Sequence, residues 1–316
     1  MAKRKVMRLG SDEPAATPRG KTFAEAAREQ NNLWEIGKDT AHVLRVWNRL
    51  KKDAMPDLGD RLLTDITPAD VVAVIRKVEE RGALDVARRL KQKIGEVFGF
   101  SIAMGYCTTD PTAHVNRVLR PKPVVEHMAR VPLAEMPQLI AALDTHPNQM
   151  ARLGLRLTLL TACRSKEVRE ARWSEINGTE WVIPAERMKM GRPHHVPLST
   201  EAMEVVEQLR KFKRNDYLFP GPRRAVVNAN FLIFALYDLG SGLRGRQTIH
   251  GFRSLFSTWA NENEWNRDVV ERCLAHVEEN KVRGAYNAAE LIPQRTKLMQ
   301  AWADQINAWQ LEGMLG

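Results

Sequence analysis

Four segments of the 316-residue chain carry side chains whose types and spacing could do chemistry. In TACRSKEVREARW (161–173), Arg164 adjoins a strongly apolar run. An unpaired guanidinium is expensive to desolvate, so an arginine there needs a reason. In MKMGRPHHVPL (188–198), Lys189 stands at the tip of a polar hairpin. In IHGFRSLF (249–256), His250 and Arg253 are three residues apart, which on a helix puts them on one face. In CLAHVEENKVRGAY (273–286), His276 precedes Tyr286, and Val282, Tyr286 and Ala289 share a helical face that turns Tyr286 inward. Guanidinium groups bind anions, histidine and lysine move protons, and a tyrosine can be a nucleophile. Taken singly, each has an ordinary reading: an ion-paired arginine, a solvated lysine, a structural histidine, a core tyrosine.

The order of the set is more specific than its members. Arg164, the hairpin Lys189, His250-x-x-Arg253, His276 and Tyr286 resemble the active site of the tyrosine recombinases, the phage integrase family. The resemblance covers about residues 22–309 and is strongest from Thr161 to Ala303. The runs TACRSKEVREARWSEI, WVIPAERMKMGRPHHVPLS, HGFR and LAHVEENKVRGAYNAAE look closest to integrases of the satellite-phage and genomic-island type. The resemblance implies a mainly α fold of the DNA breaking–rejoining type: a helical core-binding domain, then a mostly α catalytic domain with a small antiparallel β-sheet. It implies a site-specific recombinase that cuts and rejoins DNA through a 3′-phosphotyrosine, integrating or excising a mobile element. Arg164 and Arg253 match its phosphate-clamping arginines, Lys189 the lysine of its β-hairpin, His250 and His276 its two histidines, and Tyr286 its nucleophile. Island-type members usually begin with an extra domain for arm-type DNA sites, whereas this chain starts almost directly with the core-binding module.

The chemistry accounts for these residue types. A phosphodiester is anionic and repels a nucleophile. A guanidinium stays protonated and holds two phosphate oxygens at once, so Arg164 and Arg253 could stabilise a pentacoordinate transition state without a metal, and no acidic metal cluster occurs among the motifs. A tyrosine with a pKa near 10 needs a base and a cationic setting. His250 is the candidate base, His276 a hydrogen-bond donor to the phosphate, and Lys189 the acid for the leaving 5′ oxygen. Glu167, one turn after Arg164, is expected to hold that region by an ion pair or cap.

These groups need elements to position them. Residues 1–20 read as a basic, disordered tail, residues 21–125 as the core-binding domain, and residues 126–316 as the catalytic domain, with a proline-rich linker at about 105–132. Thr67-Pro68-Ala69-Asp70 is an N-cap signature, followed by the apolar face Val71, Val74, Ile75 and Val78, with Gly82 ending the helix. The next helix is predicted from about Ala83 to Phe98, with Ala87, Leu90, Ile94 and Val97 on its apolar stripe. Arg88 lies opposite that stripe, flanked by Arg89 and Lys91: a DNA-binding face or a solvated one. Lys281 and Arg283 carry the same two readings. Helices are expected at 139–143 and 153–160, short strands at 181–183 and 195–198, and mostly helix from Ser199 to Trp309. A last helix from about Pro293 to Trp309 would dock on a neighbouring subunit or on its own domain.

Composition bounds the rest. A 44% hydrophobic and 27% charged chain of this length builds its own cores, which excludes wholesale disorder, and no run approaches the roughly 18 apolar residues of a membrane span. Three well-separated cysteines argue against a disulfide framework or zinc site and fit a reducing, cytoplasmic compartment; the resemblance implies that of a bacterial host cell, with nucleoid association. No cofactor is expected. Residues 1–130 hold 24 basic against 17 acidic side chains, most of the net +10. That points to a polyanionic partner, and affinity should fall with salt. The resemblance implies as partners double-stranded core attachment sites, a homotetramer on DNA, and DNA-bending or directionality factors. A type IB topoisomerase-like enzyme and a non-catalytic DNA-binding regulator on the same scaffold are the competing functions.

Overall fold

A computed structural model of the chain describes residues 20–121, 129–188, 190–240, 242–276 and 290–315. Most of the tail at 1–20, together with Lys189, Lys281, Arg283 and Tyr286, lies outside the described residues. The chain divides into two compact units, Met1–Val125 and Glu126–Gly316.

The first unit is helical: α1 (Phe23–Trp34), α2 (Thr40–Asp53), α3 (Met55–Leu58), α4 (Pro68–Glu80) and α5 (Leu84–Ala103). Two helices start at reciprocal caps. Thr22 and Glu25 exchange hydrogen bonds at α1, and Thr67 and Asp70 do so at α4. Arg61 pairs with Asp70 at 2.6 Å and, with Thr67, holds its carboxyl well below the usual carboxylate range. The predicted stripe of α5 is buried, with Phe98 against Phe23. The helix runs five residues past its predicted end, and Ser101 is buried there too. The expected linker also begins too early. Cys107, Thr112 and Val115 are buried in this unit, and the backbone of α5 opens to admit them: a Cβ on Gly95 would stand 2.7 Å from Thr112 Oγ1. Prolines there shape a packed return segment rather than a tether.

The second unit surrounds α7 (Gln149–Thr161), most of which is buried. Around it lie α6 (Met136–Asp144), α8 (Ser165–Arg169), α9 (Thr200–Leu209), α10 (Phe231–Tyr237), α11 (Gly251–Glu262), α12 (Arg267–Cys273) and a C-terminal helix, Ile292–Leu315. Strands β1 (Ile176–Asn177), β2 (Glu180–Ile183) and β3 (His194–Pro197) form one antiparallel sheet in that order, with Trp181 opposite Val196 and Ile183 opposite His194. The region after Ser199 is less helical than its periodicity suggests. Residues 213–221 are extended or turning because they pair with the α8–β1 connection: Trp173 N–H donates to Asp216 O at 2.7 Å and Leu218 N–H to Ala171 O at 2.8 Å. Buried Leu218 and Phe219 supplied the apolar signal without a helix.

The C-terminal helix packs on its own unit, the own-domain reading of the two open to it. Leu298, Trp302, Ala303 and Ile306 are fully covered, and Gly313 lets the helix lie against Pro137 of α6, where a Cβ would meet its carbonyl at 2.7 Å. Trp302 sits among Phe256, Trp259 and Trp309 and donates from Nε1 to Leu159 O at 2.8 Å. Trp302→Ala is expected to destabilise this unit by roughly 3–5 kcal/mol, from lost burial plus the cavity, measured by denaturant unfolding. A change below about 1 kcal/mol would contradict this packing.

Candidate active site

Two chain reversals and one helix start bring the site together. Helix α7 ends at Ala162, whose φ of 50° is left-handed, a conformation that costs a non-glycine residue about 1–2 kcal/mol. The chain turns there, buries Cys163, and delivers Arg164 to the N-cap of α8. Glu167 fixes it twice. Its carboxylate accepts from the Arg164 backbone N–H at 2.7 Å and from Nη1 at 2.8 Å. The cap or ion pair expected of Glu167 is both at once.

His250 occupies the N-cap of α11, and Arg253 lies one turn on. Arg253 is 4% exposed. Its Nη1 donates to Ala162 O at 2.5 Å and its Nη2 to Leu274 O at 2.6 Å. These carbonyls belong to the C-terminal ends of α7 and α12, where unpaired carbonyls and helix dipoles favour a cation. Arg253 Nη2 also lies 3.1 Å from His276 Nε2, while its Nε has no partner among the described residues. Arg164 reaches the same turn, its Nη2 donating to Ala275 O at 3.4 Å. Burial and then Arg164 push the Arg253 pKa down. Guanidinium keeps its proton regardless, so two like charges stand side by side and favour an anion between them.

The second reversal ends α12. Ala275 has φ 48°, Ala275 N–H donates to Arg272 O at 3.1 Å, and His276 N–H donates to Glu271 O at 3.0 Å. That pair of bonds is a Schellman termination, with alanine where glycine is usual. It places His276 beside Glu271, Nδ1 to Oε2 at 2.7 Å. His250 lies near both arginines and His276. Partial burial, then Arg253, Arg164 and His276, lower its pKa, so its ring is neutral near pH 7.

The sheet is tied to this cluster from behind. Arg187, at the base of the β2–β3 connection, pairs with buried Glu175 and donates from Nη2 to Glu167 O at 2.8 Å. Glu175 also accepts from Trp181 Nε1 at 2.9 Å. On the other side Arg295, 1% exposed, donates to His195 O and Glu290 O and faces His194 Nδ1 at 3.5 Å. Burial and then Arg295 push His194 down to about 3, so it stays neutral.

Of the six residues singled out by sequence, the structure thus gathers Arg164, His250, Arg253 and His276. Lys189 and Tyr286 lie outside the described residues. The basic residues of α5 belong to the other unit. Half-buried Arg88 donates to Arg120 O, Arg89 pairs with Asp85 at 2.6 Å, and Lys91 is half-buried. Sequence reading missed Arg187, Glu175, Glu271 and Arg295. Arg295 carried a signal, a charge on the Leu298–Trp302 stripe; Glu271 carried one only as the acid five residues before His276.

The family model described as Phage integrase central domain matches residues 23–118, and the model described as Phage integrase family matches residues 129–291. Prophage integrase IntA of Escherichia coli (strain K12) is 36% identical over 291 residues, which span 91% of this chain and 70% of IntA. The integrase of Enterobacteria phage P4 is 31% identical over 309 residues, 90% of this chain and 69% of its own length. Among solved structures, a lambda integrase tetramer bound to a Holliday junction superposes with a TM-score of 0.66 at 18% identity, over 83% of this chain and 79% of that one. At that identity the likeness is one of fold. Among the described residues no helix is long and apolar enough to cross a membrane.

Proposed function

The chain belongs to the phage integrase family of tyrosine-type site-specific recombinases, and from that premise we propose how its own residues cut and rejoin DNA. Tyr286 attacks the scissile phosphate and forms a 3′-phosphotyrosine, which conserves the bond energy for religation. Arg164 and Arg253 hold the non-bridging oxygens as charge builds on them. His250, neutral at working pH, takes the tyrosine proton. His276 donates a hydrogen bond to the phosphate, and Lys189 protonates the leaving 5′ oxygen. Residues 21–125 grip the backbone of the core attachment site, residues 126–316 carry the chemistry, and Arg88, Arg89, Lys91, Lys281 and Arg283 add contacts to DNA phosphates. Four protomers act on two duplexes in the host's nucleoid, with directionality factors setting integration against excision.

The observation that carries this reading is the convergence of Arg164, Arg253 and His276 on one turn, with His250 beside them, from segments spread over 112 residues of sequence. Two buried or half-buried guanidiniums beside a neutral histidine form a site for a phosphate rather than a packing device. The test is a supercoiled plasmid carrying two copies of the attachment sequence from the DNA flanking the gene, incubated with protein in EDTA. Recombinant junctions are expected. Relaxation of any plasmid without recombinants, or complete loss of cleavage in EDTA, would overturn the reading.

The lowered pKa of His250 sets the sign of the pH dependence. A base that titrates below the ordinary histidine range keeps its lone pair as pH falls through about 6.5. Single-turnover cleavage is therefore expected to hold its rate to below that pH and then decline. A profile already at half its maximum at pH 7 would contradict the assignment of His250 as base.

A further inference from the structure

We infer that Glu271 is a positioning residue for the phosphate-binding histidine: its carboxylate fixes the ring and tautomer of His276 and aims Nε2 at the anion site. The inference rests on the proposed contact between His276 and the scissile phosphate.

The geometry follows from how α12 stops. In a Schellman termination the residue after the left-handed position returns its N–H to the carbonyl five residues back, which brings those two side chains together. Here they are His276 and Glu271, with the backbone bond at 3.0 Å. An apolar contact usually fills that position. In this chain the two side chains instead hydrogen-bond, Nδ1 to Oε2 at 2.7 Å. An ionised carboxylate only accepts, so the ring proton sits on Nδ1. Nε2 then presents a lone pair, and Arg253 Nη2 stands 3.1 Å from it as donor. The three groups form a line from Glu271 through the imidazole to the buried guanidinium. When a phosphate oxygen arrives beside Arg253, Nε2 already points at that place, and a second ring proton there makes it a donor while Glu271 faces the resulting charge. A carboxylate behind a histidine sets tautomer and direction in the same way in hydrolase triads, without itself accepting the proton. Half exposure of both side chains in the DNA-free chain, 45% for His276 and 40% for Glu271, leaves the pair open to ligand on one side.

Two variants test this. Glu271→Leu keeps a good helix former and roughly the same bulk but removes the acceptor. Glu271→Gln keeps an acceptor oxygen without the charge. On a nicked DNA substrate, Glu271→Leu is expected to lower the single-turnover cleavage rate by about 10–100-fold, with DNA affinity and melting temperature unchanged, and Glu271→Gln to recover part of the loss. Nitrogen-15 spectra of the free protein should show the neutral His276 ring protonated on Nδ1 in the wild type and shifted toward the Nε2–H tautomer in Glu271→Leu. Wild-type cleavage by Glu271→Leu, or an unchanged ring tautomer, overturns the inference. A wild type that forms no covalent DNA complex overturns the function reading instead, and the ring spectra then decide the role of Glu271 alone.

Discussion

Tyr286→Phe is expected to abolish strand cleavage while leaving DNA binding intact. The substitution removes one oxygen, and with it the atom that attacks phosphorus. His250, His276 and Lys189 are not expected to substitute for it as a covalent carrier, since each has another proposed role. Removing a nucleophile from a working constellation lowers the rate by at least about 10⁴-fold, because the remaining members act as a unit with it. The measurement is the covalent protein–DNA band on a suicide substrate that loses its short 5′ product after cutting. Phenylalanine keeps the apolar ring, so melting temperature should move little. A variant that still forms the adduct would remove Tyr286 from the mechanism.

Arg253→Lys has the second largest expected effect. Lysine keeps the charge but presents one nitrogen in place of a planar fork. The wild-type guanidinium bridges Ala162 O and Leu274 O and still faces His276. A single ammonium cannot hold both carbonyls and a phosphate. Cleavage is expected to fall about 10²–10³-fold, the usual cost of losing one preorganised donor to a developing anion. Stability is expected to fall as well, by roughly 1–3 kcal/mol, because a buried carbonyl loses its donor. The two readouts separate the roles. If stability falls while single-turnover cleavage is unchanged, Arg253 joins helix ends and nothing more.

Much of this site was legible in the sequence because its residues are chemically expensive where they stand. Arg164 next to an apolar helix, and His250 and Arg253 at helical spacing, each announce a constraint that packing alone does not supply. The N-cap at Thr67, the strands around Trp181 and Val196, and the apolar stripe of α5 were legible for a different reason: caps and periodicity are local. What stayed hidden depends on reversals and long-range pairing. Ala162 and Ala275 adopt left-handed backbone that glycine usually marks, so nothing at the residue level signalled the turns that aim Arg164 and His276. Residues 213–221 read as helix because buried Leu218 and Phe219 carry an apolar signal, whereas backbone pairing with residues 171–174 decides their conformation. Arg187 and Arg295 were not singled out, yet they are largely buried braces on the sheet, because their partners lie 12 and about 100 residues away. The C-terminal helix was ambiguous between two partners, since an apolar stripe states that a face is buried and not by what.

The proposed mechanism turns on a covalent bond between Tyr286 and the 3′ end of cut DNA. Its most direct test is to trap the wild-type protein on a suicide substrate, digest the adduct with protease and nuclease, and sequence the nucleotide-bearing peptide by mass spectrometry. One modified peptide is expected, from the segment containing Tyr286, with the phosphate joined to that tyrosine and to a 3′ nucleotide. A phosphate on any other residue, or a 5′ linkage, would contradict it.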